Sequence, residues 1–171
     1  MEKFMMPELI EEKEDGRKKI RGVALVDNYK SGNKWYYSKE FNDKLVEQAN
    51  KAIESGDSLT IRSIHHPNDH VLQTVGKVTK LYKENDYQIE EGLTRDVVMY
   101  EGILSPTTAG KDVSILLEDK VINNVSIRAK SPIARPEVIE GDEVNYLLEA
   151  NLRGIDFTDN PGVKYASAEL A

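Results

Sequence analysis

Cysteine is absent from the 171 residues, which removes disulfides, thiolate metal sites and a cysteine nucleophile together. Long apolar runs are missing as well: none approaches the roughly 18 residues that a membrane-spanning helix needs. Met1 to Lys19 carries Glu11-Glu12-Lys13-Glu14-Asp15 and no hydrophobic signal region, so the chain reads as soluble and cytosolic. Basic residues are the minority charge, 23 against 30 acidic, for a formal net charge of −7. An acidic chain gains little from a polyphosphate backbone, which argues against nucleic acid as the primary ligand. With 6 prolines and 11 glycines, no segment is of low complexity, and no internal repeat is visible.

What remains is a globular composition, 39% hydrophobic and 31% charged. The length suits one domain with a substantial core. Arg21 to Asn28 is a short apolar run that predicts a buried strand, and Ser31-Gly32-Asn33 predicts a turn. Ser38 is placed to cap a helix running to about Ser55, with Gly56 as its stop. Phe41, Leu45, Ala49 and Ile53 recur every four positions and give that helix one core-facing stripe.

Beyond Gly56 the period shortens. Ser58 to Ile64, Val71 to Tyr82 and Asp96 to Leu104 alternate like strands, with turns expected at Asn85-Asp86 and Glu91-Gly92. Ser105-Pro106 opens a second helix to about Asp119, with Pro106 near its first turn and Val113, Leu116 and Leu117 on one face. Val121 to Lys130 reads as a strand, followed by a polar, proline-bearing stretch. Val144 to Leu152 and Ile155 to Thr158 read as two more strands, ending at Asn160-Pro161-Gly162. Many strands with two helices predict an α+β fold, a mainly antiparallel β-barrel or curled sheet flanked by helices.

All three histidines fall in His65-His66-Pro67-Asn68-Asp69-His70. Histidine is the usual general base near neutral pH, and a metal site using all three with Asp69 is the competing use. Pro67 disfavours helical geometry at His66 and so works against sharing a metal with His70 at helical spacing. A plain polar turn is the third reading.

In the Val121–Lys130 strand, alternation puts Val121, Val125, Ile127 and Ala129 on one face, and Asn124, Ser126 and Arg128 on the other. Ser126 so placed has the setting of a nucleophile, with the cation two positions on, Arg128, as a nearby anion stabiliser. Asp156, between Ile155 and Phe157, is directed away from both, as a carboxylate that orients an imidazole must be. A strand end with Asp159 and Asn160 shaping a turn reads the same residues without chemistry.

These segments, in this order, resemble the prohead (capsid maturation) serine proteases of tailed phages, a family related in fold to the herpesvirus assembly proteases. The features that carry the resemblance are Gly22-Val23-Ala24-Leu25, Trp35-Tyr36-Tyr37, His66-Pro67, Gly76-Lys77-Val78, Val125-Ser126-Ile127 and the Gly154 to Gly162 strand with its Asn-Pro-Gly end. The resemblance implies a herpesvirus-protease-like fold and an endopeptidase with Ser126 as nucleophile and His66 as base, His65 being the alternative. In the acyl transfer it implies, Arg128 holds the oxyanion, directly or through a water, with Arg153 as the second candidate. Relatives show a Glu-x-Ser pattern in the last strand where this chain has Gly154-Ile155-Asp156, so Asp156 is the implied third member, with Glu149 and His70 as alternatives.

It further implies scaffold and major capsid proteins as substrates, together with the chain itself. Action would be inside the immature capsid in the host cytoplasm, by a monomer or a homodimer, with no metal, cofactor, nucleic acid or membrane. The expected organisation is a charged segment 1–19, a protease domain 20–163 and an exposed tail 164–171 whose end is an engineered or self-processed truncation. A non-catalytic capsid or tail component on the same barrel and a histidine-cluster metal hydrolase are the rival readings.

Overall fold

A computed structural model describes residues 8–12, 15–63 and 73–158. Strand β1 (Glu8–Glu12), from the charged N-terminal segment, pairs antiparallel with β2 (Lys18–Val26). β2 is the apolar run read from the sequence: Ile20, Val23, Ala24, Leu25 and Val26 are all buried. After the short strands β3 (Tyr29–Lys30) and β4 (Trp35–Tyr37) comes helix α1 (Lys39–Glu54). The Ser38 hydroxyl accepts from the Phe41 amide at 3.1 Å, satisfying one of the open donors of the first turn. Phe41, Leu45 and Ala49 are buried against β6 (Thr74–Glu90) and β9 (Asp142–Phe157), as their spacing required.

β5 (Thr60–Arg62) is shorter than the alternation suggested. β6 and β7 (Leu93–Leu104) form a long hairpin turning at Glu91-Gly92. Asn85-Asp86 is no turn. It lies within β6, where the ladder slips between Glu84 and Tyr87 and Asp86 takes φ +54°. A bulge and a turn draw on the same residue types, because both need a positive φ.

Helix α2 (Thr108–Glu118) is capped by Thr107, whose hydroxyl accepts from the Gly110 amide at 3.1 Å, so Pro106 precedes the cap rather than entering the first turn. Val113 and Leu117 are buried as expected, but Leu116 is exposed, because Gly110 and Ser114 complete the buried stripe instead.

The largest departure is at the end of the chain. β8 (Val125–Ile139) and β9 (Asp142–Phe157) are continuous strands of one antiparallel hairpin. The polar, proline-bearing stretch is the far half of β8, exposed from Ala129 to Pro136. Without a face to bury, such a ribbon carries no apolar alternation, and Pro136 is tolerated because β8 is an edge strand bonded only to β9 among the described residues. Its two-residue turn, Glu140-Gly141, has φ of +52° and +85°, the doubly positive pair that matches strand twist.

The sheet order is β1-β2-β7-β6-β5-β9-β4-β3, with β8 on the other edge of β9. The described sheet does not close, so the curled sheet, and not the closed barrel, is the outcome of the α+β expectation. β5 and β4 both run parallel to β9, at its C-terminal and N-terminal ends respectively. That arrangement makes β9 the strand on which β8 and β5 meet.

Candidate functional site

Ser126 is half-buried on β8, and its Cα partner across the antiparallel ladder is Asp156. On the other side of β9, Asp156 pairs in parallel with Arg62. Ser126, Asp156 and Arg62 therefore form one row across three strands, with side chains on a common face. The next row along is Arg128, Gly154 and Thr60. Val125, Ile155 and Phe157 point to the opposite face and are in the core. Core alternation is what turns Ser126 and Asp156 toward each other's side of the sheet.

Alternation fails at both ends of the stretch first read as a strand. Val121 precedes β8 and is exposed just beyond α2, its amide donating back to the Leu116 carbonyl in the last turn of that helix. Ala129 is exposed because the ladder slips after Arg128, leaving Arg153 of β9 as the extra residue.

Asp156 is fully buried. Arg128 Nε donates to both of its carboxylate oxygens, at 3.0 and 3.2 Å. The same guanidinium continues to β5, where Nη2 donates to the Thr60 carbonyl at 3.1 Å and to Thr60 Oγ1 at 2.8 Å. A buried charge pair holds only when such further hydrogen bonds fill its remaining donors and acceptors. Gly154 makes room for the crossing. A Cβ there would stand 2.6 Å from Arg128 Nη2 and 1.9 Å from the Thr60 oxygen.

The remaining expected residues are dispersed. Arg153 is exposed at the bulge. Glu149 is exposed seven residues back along β9, about 23 Å from Asp156 at the usual strand rise. It lines a surface groove of about 260 Å³ between α1 and β9, with Phe41, Leu45 and Leu148. The structure thus brings Ser126, Arg128 and Asp156 together and leaves Glu149 and Arg153 apart from them.

His65, His66, His70 and Asp69 lie outside the described residues. The described residues that flank them in sequence, Ser63 and Gln73, are joined, the Gln73 carbonyl accepting from the Ser63 amide at 2.8 Å, and Ser63 follows Arg62. Among the described residues no three histidines or carboxylates gather as metal ligands.

Thr60 and Arg62 went unnoticed in the sequence. Alternation in β5 does set both opposite the buried Ile61, but nothing local says which strand lies beside them.

No protein-family model matches the chain, and no curated protein matches it in sequence. Among solved structures, that of the bacteriophage T4 capsid assembly protease, gp21, matches with a TM-score of 0.64 at 17% identity. The match covers 90% of this chain and 91% of that one. The chain has the fold of that phage protease. The match spans nearly the whole of both chains, so the likeness is one of overall fold and not merely of a shared hairpin.

Proposed function

We propose that the chain is a serine endopeptidase of phage prohead maturation, cutting scaffold and major capsid protein segments, and itself, inside the immature capsid. The observation that carries the reading is the placement of Ser126 and Asp156 as strand partners within the fold of a capsid assembly protease. The bond between Ser63 and Gln73, the described residues that flank the histidines in sequence, lies beside the same row and supports it. The relation in fold to herpesvirus assembly proteases belongs to the same reading.

In this mechanism His66, with His65 as the alternative, takes the proton of Ser126 Oγ as that oxygen bonds to the scissile carbonyl carbon. The tetrahedral intermediate collapses with cleavage of the C–N bond, and the imidazolium returns the proton to the leaving amine. Water, deprotonated by the same imidazole, then breaks the acyl–Ser126 ester and regenerates the hydroxyl. Asp156 stabilises the imidazolium and fixes its orientation, while preorganised N–H donors meet the oxyanion.

The test is co-expression of the cognate scaffold and capsid precursors with wild type, Ser126→Ala and His66→Ala, alongside fluorophosphonate labelling. Cleavage and labelling by the wild type alone are expected. Cleavage by Ser126→Ala would sink the serine mechanism. An inert, unlabelled wild type would return the chain to a non-catalytic capsid or tail component.

A further inference from the structure

β8 carries Ser126, and β5 leads into the segment that carries the histidines. These two strands make no ladder with each other, because β9 lies between them. The Arg128 side chain spans that gap. From β8 it lies over the backbone of Gly154, holds Asp156 of β9 through Nε, and reaches Thr60 of β5 through both hydrogens of Nη2.

We infer that Arg128 is a positioning residue. It fixes the strand bearing the nucleophile against the strand that feeds the base, and its Nε–Nη2 edge is taken up by that link and not by the substrate. The inference rests on the protease reading. Three features support it. An oxyanion donor must aim its N–H groups at the position of the reacting oxygen, whereas the Nε and Nη2 donors here face Asp156 and Thr60. The side chain is only 12% exposed. The arrangement also needs a planar fork, in which Nε and Nη2 serve partners on two different strands, and a lysine ammonium cannot reproduce that geometry.

The inference is tested with Arg128→Lys, Arg128→Ala, Thr60→Val and the Arg128→Ala/Thr60→Val pair, each assayed for kcat and KM well below its melting temperature. A misplacement of about 1 Å between reacting groups costs on the order of 100-fold in rate. Arg128→Lys is therefore expected to lose about 10- to 100-fold in kcat with KM nearly unchanged, about as much as Arg128→Ala. Thr60→Val, which keeps every charge, is expected to lose several-fold. In the double variant the Thr60 change should add little, since both act through one link. An Arg128→Lys enzyme close to wild type, a silent Thr60→Val or full additivity would overturn the inference in favour of a charge acting directly.

If the wild type does not cleave at all, the protease reading fails and the link is read by amide exchange instead. Arg128→Lys should then speed exchange at Thr60–Arg62 and Val125–Arg128 while leaving α1 unchanged. Unaltered exchange at those strands would overturn it.

Discussion

Ser126 and Asp156 stand opposite each other on β8 and β9, 30 residues apart in sequence and directly paired in the ladder. Asp156 is buried and both of its carboxylate oxygens accept from Arg128, so the carboxylate is held in place before any substrate arrives. A fixed, desolvated carboxylate of this kind can steady an imidazolium without itself taking the proton.

Asp156→Asn keeps the shape and removes the charge. Cleavage of the precursor should fall by about three orders of magnitude or more, in the range known for amide replacements of triad carboxylates. The unfolding midpoint should fall too, because Arg128 loses its buried counter-charge. Full activity in this variant would exclude Asp156 from the mechanism.

Gly154 and Gly141 should respond to alanine in opposite degrees. At Gly154 a Cβ meets the Thr60 oxygen at 1.9 Å, so β5 has to move, and we expect a loss of about 3 kcal/mol or more, or failure to fold. At Gly141 nothing lies within 4 Å and only the φ of +85° is unfavourable, for a cost of about 1 kcal/mol. Urea denaturation of the two variants gives the comparison. Equal losses would mean that the close approach at Gly154 is relieved without consequence.

Lys83 and Asp27 form a second, largely buried pair at the far end of β2. The Asp27 carboxylate accepts from Lys83 Nζ at 2.5 Å and from Asn42 Nδ2 at 2.8 Å. Lys83→Met strands the Asp27 charge and should cost about 3 kcal/mol. Adding Asp27→Asn should restore much of that loss in denaturant unfolding. A double variant no better than the single would show that the charge was not the cause.

Burial pushes the Tyr37 hydroxyl up from 10.0 to about 12, since the phenolate would lose its hydration. A raised folded-state pKa contributes stability that is complete below pH 10 and is lost as pH rises toward 12, as the unfolded chain ionises first. Melting temperatures measured between pH 9 and pH 11.5 should fall more steeply for the wild type than for Tyr37→Phe. Parallel curves would show that Tyr37 ionises as freely in the fold as outside it.

The sequence by itself determined the elements whose physics is local. α1 follows from the Ser38 cap, the four-residue stripe and Gly56. The apolar run of β2 and the direction of Asp156 away from Ile155 and Phe157 follow from periodicity. The ordered motifs pointed to a phage protease fold, and the structural match bears out that much. It missed the far half of β8, from Ser131 on, because an exposed edge ribbon buries no face and so leaves no apolar period to read. The tertiary structure alone decided that Ser126, Asp156 and Arg62 share a row, and that Arg128 passes over Gly154 to Thr60. Strand order and register depend on contacts between residues distant in the chain, and those are specified by how whole faces pack, not by the residues beside each one.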